Sequence, residues 1–283
     1  FFGVNNRKLA LAQNRNPQVT GVVEAVSMEA PLQMAMELFP QTSTIYAIVD
    51  RTPTGQEDLA TFYSYSSRFP LEELSLENLG FVELEARLRA LNGNSVVLLI
   101  SAYHDRTGHS LTFEESLSRI TANSSVPIFH LYHHGMGKGI FGGKLISHYQ
   151  QALTAAAIME EILFSETTVD EFSVVEESPN IYMADYVQME KYGIREQDLP
   201  EGTQVMNRPE SFYRENWVQI WSLMVVIFLE GALILLLIFN IQRKKSMARR
   251  LMASEQRFRD LFEYAPVALL EEDFSEVKRY LDF

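Results

Sequence analysis

Residues 129 to 144 read FHLYHHGMGKGIFGGK. His130, His133 and His134 fall within five positions, and five glycines, Gly135 to Gly143, fall within the next nine. Clustered imidazoles suggest zinc. Gly137, Gly139 and Gly142 spell the G-x-G-x-x-G of a dinucleotide-binding turn. Spacing argues against both. In an extended strand His130 and His134 project to one face and His133 to the other. No HExxH pattern is present, so no metal is expected, and His130 is expected as a hydrogen-bonded core histidine. The first fingerprint glycine stands five residues past Tyr132, where the apolar run ends. A phosphate-binding P-loop needs lysine at 143, where Gly143 stands. No cofactor is therefore expected. What remains is Tyr132, His133 and His134 at the end of a strand, facing a cleft. Aromatic and imidazole groups there suit a small polar organic ligand. The glycines are expected to let the chain pass closely and to open the next helix. No catalytic residues are assigned: no Ser/His/Asp arrangement or nucleophile elbow occurs. Glu160–Glu161 and Glu271–Glu272 read as solvated faces.

The elements that would position these residues alternate in kind. TIYAIVD (44–50), SVVLLIS (95–101) and VPIFHLY (126–132) are apolar throughout, as strands buried on both faces are. Between them LENLGFVELEARLRAL (76–91) and TFEESLSRITANS (112–124) have helical period. In KLISHYQQALTAAAIMEEILF (144–164), Leu145, Tyr149, Leu153, Ala156 and Met159 recur on one helical face. Strand and helix in rotation predict an α/β fold with a parallel sheet. Ligands in such folds bind beyond the carboxyl ends of the strands. The loops there are DRTPTG, AYHDRTG and HHGMGKG.

One segment sets the architecture. WVQIWSLMVVIFLEGALILLLIFNI, residues 217–241, carries a single charge, Glu230. At about 1.5 Å per residue it can cross a hydrocarbon layer of about 30 Å. Trp217 and Trp221 mark one end, and QRKKSMARR, with five cations, marks the other. The positive-inside rule then places the C-terminal side in the cytoplasm of a bacterial cell and residues 1–216 outside. Glu230, costly in lipid, reads either as a helix–helix contact in a homodimer or as an acid tolerated in an otherwise very apolar helix. The chain has no cysteine, which excludes disulfides and thiolate sites. Its net charge of −13 falls wholly within residues 1–216. An acidic domain is a poor match for nucleic acid, which needs clustered Lys and Arg.

Taken together, FFGVNN, QVTGVVEA, IYAIVDRTPTG, SVVLLISAYHDRTG, VPIFHLYHHGMGKGIFGGKLIS and ESPNIYMADYVQMEKYGI resemble the type I periplasmic-binding fold. It occurs in substrate-binding proteins of ABC transporters and in sensor proteins. The resemblance covers residues 1–213 and the C-terminal two-thirds of that fold. It implies two lobes of parallel sheet, with an N-terminal part preceding Phe1. By the same cleft argument as for Tyr132, His133 and His134, Asn5, Asn6, Glu24, Asp50, Thr52, Thr54, Tyr103 and Asp105 are candidates to join them around a small-molecule solute. For Asp50 and Thr52, turn chemistry is the competing reading. SEQRFRDLFEYAP, from 254 onward, resembles the start of a PAS domain. The implied order is a solute-binding domain (1–213), a transmembrane helix (217–241), a basic linker helix (242–256) and a truncated PAS domain (257–283). The implied function is that of a membrane sensor, most simply of histidine-kinase type. A diguanylate cyclase receptor and a tethered transporter component are the alternatives. All six histidines precede the apolar helix, so none is a cytoplasmic phosphoacceptor.

Overall fold

The computed structural model describes residues 1–264 except 6, 166, 210–212 and 214–215. Residues 265–283, with most of the PAS-like segment, lie outside the described residues. The chain divides into two compact units, Phe1–Pro209 and Glu210–Phe283.

The first unit is built on one seven-stranded sheet. Its strands are β1 (Thr44–Val49), β2 (Leu71–Ser75), β3 (Ser95–Leu99), β4 (Ile128–His130), β5 (Gly142–Leu145), β6 (Ile181–Asp185) and β7 (Gln204–Met206). They lie in the order β2-β1-β3-β4-β5-β6-β7. All neighbouring pairs run parallel except β5 and β6. The three apolar runs supply β1, β3 and β4, and every residue of β3 and β4 is buried. The third run is strand only over Ile128–His130.

Helices cover both faces, and their starts are written in the sequence. Thr52 caps α3 (Pro53–Tyr63) by accepting a hydrogen bond from Gly55 N, with proline just inside the helix. Thr112 and Glu115 form a capping box on α5 (Phe113–Asn123). Within 76–91, the helix α4 occupies only Phe81–Arg89. It starts after Gly80, whose N–H donates to Glu83 Oε2 at 2.8 Å. Asp185 caps α7 (Tyr186–Tyr192), which ends on Gly193 in the left-handed region (φ 70°). One sheet face packs Ala47, Val49, Val96, Leu98 and Phe129 under α2 (Glu29–Leu38) and α7. The other packs Ile48, Val97, Leu99 and Ile128 under α4 and α5.

Residues 1–25 and the chain around 175 form a small extra layer. It is held by parallel bridges Val4–Val23 and Val22–Val175 and contains α1 (Arg7–Ala12). Its own small core is Ala10, Val23 and Val174. The helix α6 (His148–Phe164) joins this layer through Gln151, fully buried, which accepts from Gly3 N at 2.9 Å and donates to Ser178 Oγ at 3.1 Å.

Two expectations about 129–164 are corrected. The glycines do not open a helix: Gly142 and Gly143 lie in β5, hydrogen-bonded between β4 and β6. The expected apolar face of 144–164 is not a core face either. Leu145 ends β5, and Tyr149, Leu153 and Met159 of α6 are exposed. Their spacing followed a helix, but no described residue covers that side.

The second unit is dominated by α8 (Trp217–Tyr264), one unbroken helix. It is long and apolar enough to cross a membrane. The expected boundary at 241 leaves no break in it.

Candidate functional site

The strand order reverses between β1 and β3. From β1 the chain leaves through α3 toward β2, and from β3 it leaves through α5 toward β4. Such a switch opens a crevice at the carboxyl ends of the strands. Its floor here is Asp50, directly after β1, with Ser101 and Tyr103 after β3.

Asp50 is fully buried, and the hydrogen bonds its carboxylate accepts come from these two loops. Oδ1 accepts from Thr52 N (3.0 Å), Thr52 Oγ1 (2.6 Å) and Ser101 Oγ (2.8 Å). Oδ2 accepts from Tyr103 N at 2.7 Å. Burial alone would raise its pKa, but these donors outweigh burial, led by Thr52 Oγ1, and hold the carboxyl below its ordinary value. The same device recurs one loop away. Asp105, also buried, accepts from Phe81 N (3.0 Å), Thr107 N (2.9 Å), Thr107 Oγ1 (2.7 Å) and His109 N (3.0 Å). Burial again opposes, and the same bonds again pull its pKa down. Both carboxylates tie one strand end to a neighbouring loop, and Thr52 is spent on its cap.

The wall of the crevice is aromatic. His130 donates from Nδ1 to Leu99 O at 2.7 Å, as a core histidine. Its ring stacks on Phe113 at 5.5 Å and lies 5.7 Å from Tyr132. His134 meets Phe113 at 4.3 Å, His130 at 5.1 Å and Tyr132 at 5.3 Å between ring centroids. Tyr103 lies 6.5 Å from Phe113. Burial pushes His130 down to about 3, so that imidazole is neutral at physiological pH; His134, exposed on its outer side, is also lowered, first by burial and then by His148. The phenols of Tyr103 and Tyr132 are raised, first by burial and then by nearby carboxylates. For Tyr132 these are Asp58 and Glu24. The wall is thus neutral, ring-lined and edged with negative charge.

The remaining predicted residues scatter. Glu24, mostly buried, bonds His148 Nε2 at 2.9 Å and ties the extra layer to the start of α6. Asn5, Thr54 and His133 are exposed. His133 is fixed through its backbone, N–H to Ile146 O at 3.0 Å. Asn6 lies outside the described residues. Tyr103, Tyr132 and His134 therefore gather on one wall, while Asp50, Thr52 and Asp105 support it from below. Sequence reasoning missed Phe113, His148 and Asp58. Phe113, directly after the Thr112 cap, belongs at the carboxyl edge for the same reason as the strand ends. No group of three His, Cys, Asp or Glu among the described residues is placed to hold a metal.

No known protein family and no curated protein matches the sequence. Solved structures do. The ligand-free, open structure of CD0873, a substrate-binding protein with adhesive properties from Clostridium difficile, aligns with a TM-score of 0.51 at 15% identity. That alignment covers 66% of this chain and 62% of that one. A conserved domain protein from Vibrio cholerae aligns at 0.43 and 16%, covering 66% and 62%. An ABC domain in complex with L-Trp from Streptococcus pneumonia aligns at 0.46 and 13%, covering 66% and 65%. The chain therefore spans less than two thirds of the length of each. At such identities the likeness to the first is one of fold: a mixed α/β substrate-binding architecture, followed here by a helix able to cross a membrane.

Proposed function

We propose that this chain is the sensing part of a membrane-anchored receptor, with residues 1–209 binding a small organic solute. The observation that carries the reading is the ring wall of Tyr103, after β3, with Tyr132 and His134, after β4, beside the β1–β3 switch. In an α/β sheet that is where ligands bind. The fold likeness to a substrate-binding protein agrees with it. Solute binding shifts an open–closed equilibrium by the ligand's preference for the closed form. In this proposal α8 spans the membrane with its basic end inside, pairs with a second copy, and passes the change to a PAS-type region and a histidine-kinase output.

Thermal-shift measurement on the detergent-solubilised chain, against sugars, amino acids, nucleosides and aromatic acids or amines, tests the binding step. At least one class is expected to raise the melting temperature, and Tyr132→Ala is expected to weaken that ligand about 10-fold or more. That factor is about 1.4 kcal/mol. A shift with zinc and with none of the organic classes refutes the proposal.

A further inference from the structure

Along α3, Gly55, Asp58 and Phe62 form the stripe turned toward the sheet. Gly55 is there because a Cβ would lie 2.3 Å from Ser101 Oγ and 2.8 Å from Thr52 Oγ1. Phe62 is wholly buried in the core under α2 and α7. Asp58, between them, is only 9% exposed, and no described residue donates a hydrogen bond to it. A largely desolvated carboxylate with no protein donor is costly for a fold to carry. Its charged surroundings do not relieve it. Glu57 on its own helix and Glu24 from the extra layer are both acidic, the Tyr132 phenol is near enough to feel its charge, and His148 is already engaged by Glu24. Burial first, then Glu57 and Glu24, push the Asp58 carboxyl up to about 7.

A second polar group in the same wall is also unsatisfied. Nε2 of His130 is buried and without a partner among the described residues. With Nδ1 donating to Leu99, this nitrogen is an acceptor that lacks a donor.

We propose that Asp58 is the counter-charge for an organic ammonium group, the rest of the ligand lying against Tyr103, Tyr132 and His134. The proposal rests on the solute-cleft reading and names its ligand class. An ammonium supplies the positive charge Asp58 lacks and the donors this wall lacks, and ring faces attract it further. A hard metal ion fits less well. Calcium takes about six to eight oxygens and magnesium about six, whereas rings make up most of this wall. Glu24 already shares its carboxylate with His148, which leaves Asp58 to meet the ligand. Binding a cation favours ionised Asp58, so it releases a proton near neutral pH and weakens as the pH falls.

Titration calorimetry of the full chain in detergent, with phenethylamine, 2-phenylethanol and phenylacetate, compares one skeleton in three charge states. Near pH 8 the amine is expected to bind about 10-fold or more tighter than the alcohol, with the acid weakest. The amine's advantage is expected to vanish in Asp58→Asn, to survive in part in Asp58→Glu, and to shrink near pH 6. An amine no tighter than the alcohol on the unmodified chain overturns the ammonium assignment and leaves the cleft standing. So does an advantage that persists in Asp58→Asn. The comparison on the unmodified chain does not depend on any variant folding. Absence of binding heat from all three probes at millimolar concentration overturns the assignment of an aromatic ammonium ligand, whereas the cleft reading is overturned only when none of the organic classes raises the melting temperature.

Discussion

Asp50, just before the cap of α3, and Asp58, inside that helix, carry the same carboxylate, and their surroundings send them in opposite directions. Asp50 accepts four hydrogen bonds and sits below its ordinary pKa. Asp58 accepts none from the described residues and is pushed up to about 7. Linkage makes both readable. For Asp50 the folded pKa lies below the unfolded one, so its contribution is present above about pH 4 and is lost as pH falls through the folded value. Asp50→Ala unpairs Ser101 and the Tyr103 N–H and is expected to cost about 2–4 kcal/mol near neutral pH. Thermal unfolding of the solubilised chain measures this as a drop of several degrees. For Asp58 the folded pKa lies above the unfolded one, so the folded state binds the extra proton between about pH 4 and 7 and stability falls as pH rises through that window. Asp58→Asn is expected to flatten that slope and to stabilise the ligand-free chain by on the order of 2–4 kcal/mol near pH 8, at about 1.4 kcal/mol per pKa unit. Melting curves near pH 5 and pH 8 check the sign. Asp50 was legible in the sequence, because an acid two residues before a threonine and three before a proline announces a turn. Asp58 was not. In the run GQEDLA it looks like any solvated helix acid, and only its spacing from Gly55 and Phe62 puts it inside.

At the scale of elements, β1, β3 and β4 could be read directly, because central parallel strands are buried on both faces and show as unbroken apolar runs. Edge and late strands carry no such mark. Leu71–Ser75 contains two adjacent glutamates, and Ile181–Asp185 lies in a stretch that reads equally well as loop. β5 is the extreme case, since GGKL has the composition of a turn. Its glycines are there because two backbones press on it. A Cβ on Gly142 would lie 2.1 Å from Met183 O, and one on Gly143 would lie 2.4 Å from His130 O. Gly142→Ala must therefore push β6 away. Since β5 lies between β4 and β6 in the sheet, the expected result is early exchange of amide protons in 181–206 while β1 and β3 stay protected. Hydrogen–deuterium exchange with mass spectrometry reads both regions in one experiment, and uniform protection would show that the strands absorb the methyl group.

For the whole molecule, the absence of cysteine makes topology simple to measure. Single substitutions Gly93→Cys and Ser246→Cys, probed in intact bacterial cells with an impermeant maleimide, are expected to label at 93 and not at 246. The reverse pattern would invert the proposed orientation. Within the span, Glu230 is the one charge between 217 and 241. If it holds two copies together, Glu230→Leu is expected to weaken crosslinking between copies in the membrane several-fold, whereas Glu230→Gln, still able to hydrogen-bond, retains most of it. Unchanged crosslinking in the leucine variant would rule out that contact.

The unbroken course of α8 has a geometric consequence. Its 48 residues form a rod of about 70 Å, roughly twice what a hydrocarbon layer requires. Each residue advances the azimuth by about 100°. One alanine inserted among residues 242–254 therefore swings everything beyond it by more than a quarter of a revolution, while seven restore the phase to within about 20°. A receptor wired through this rod should respond to insertion length with a helical rhythm, failing at one or two residues and recovering at seven.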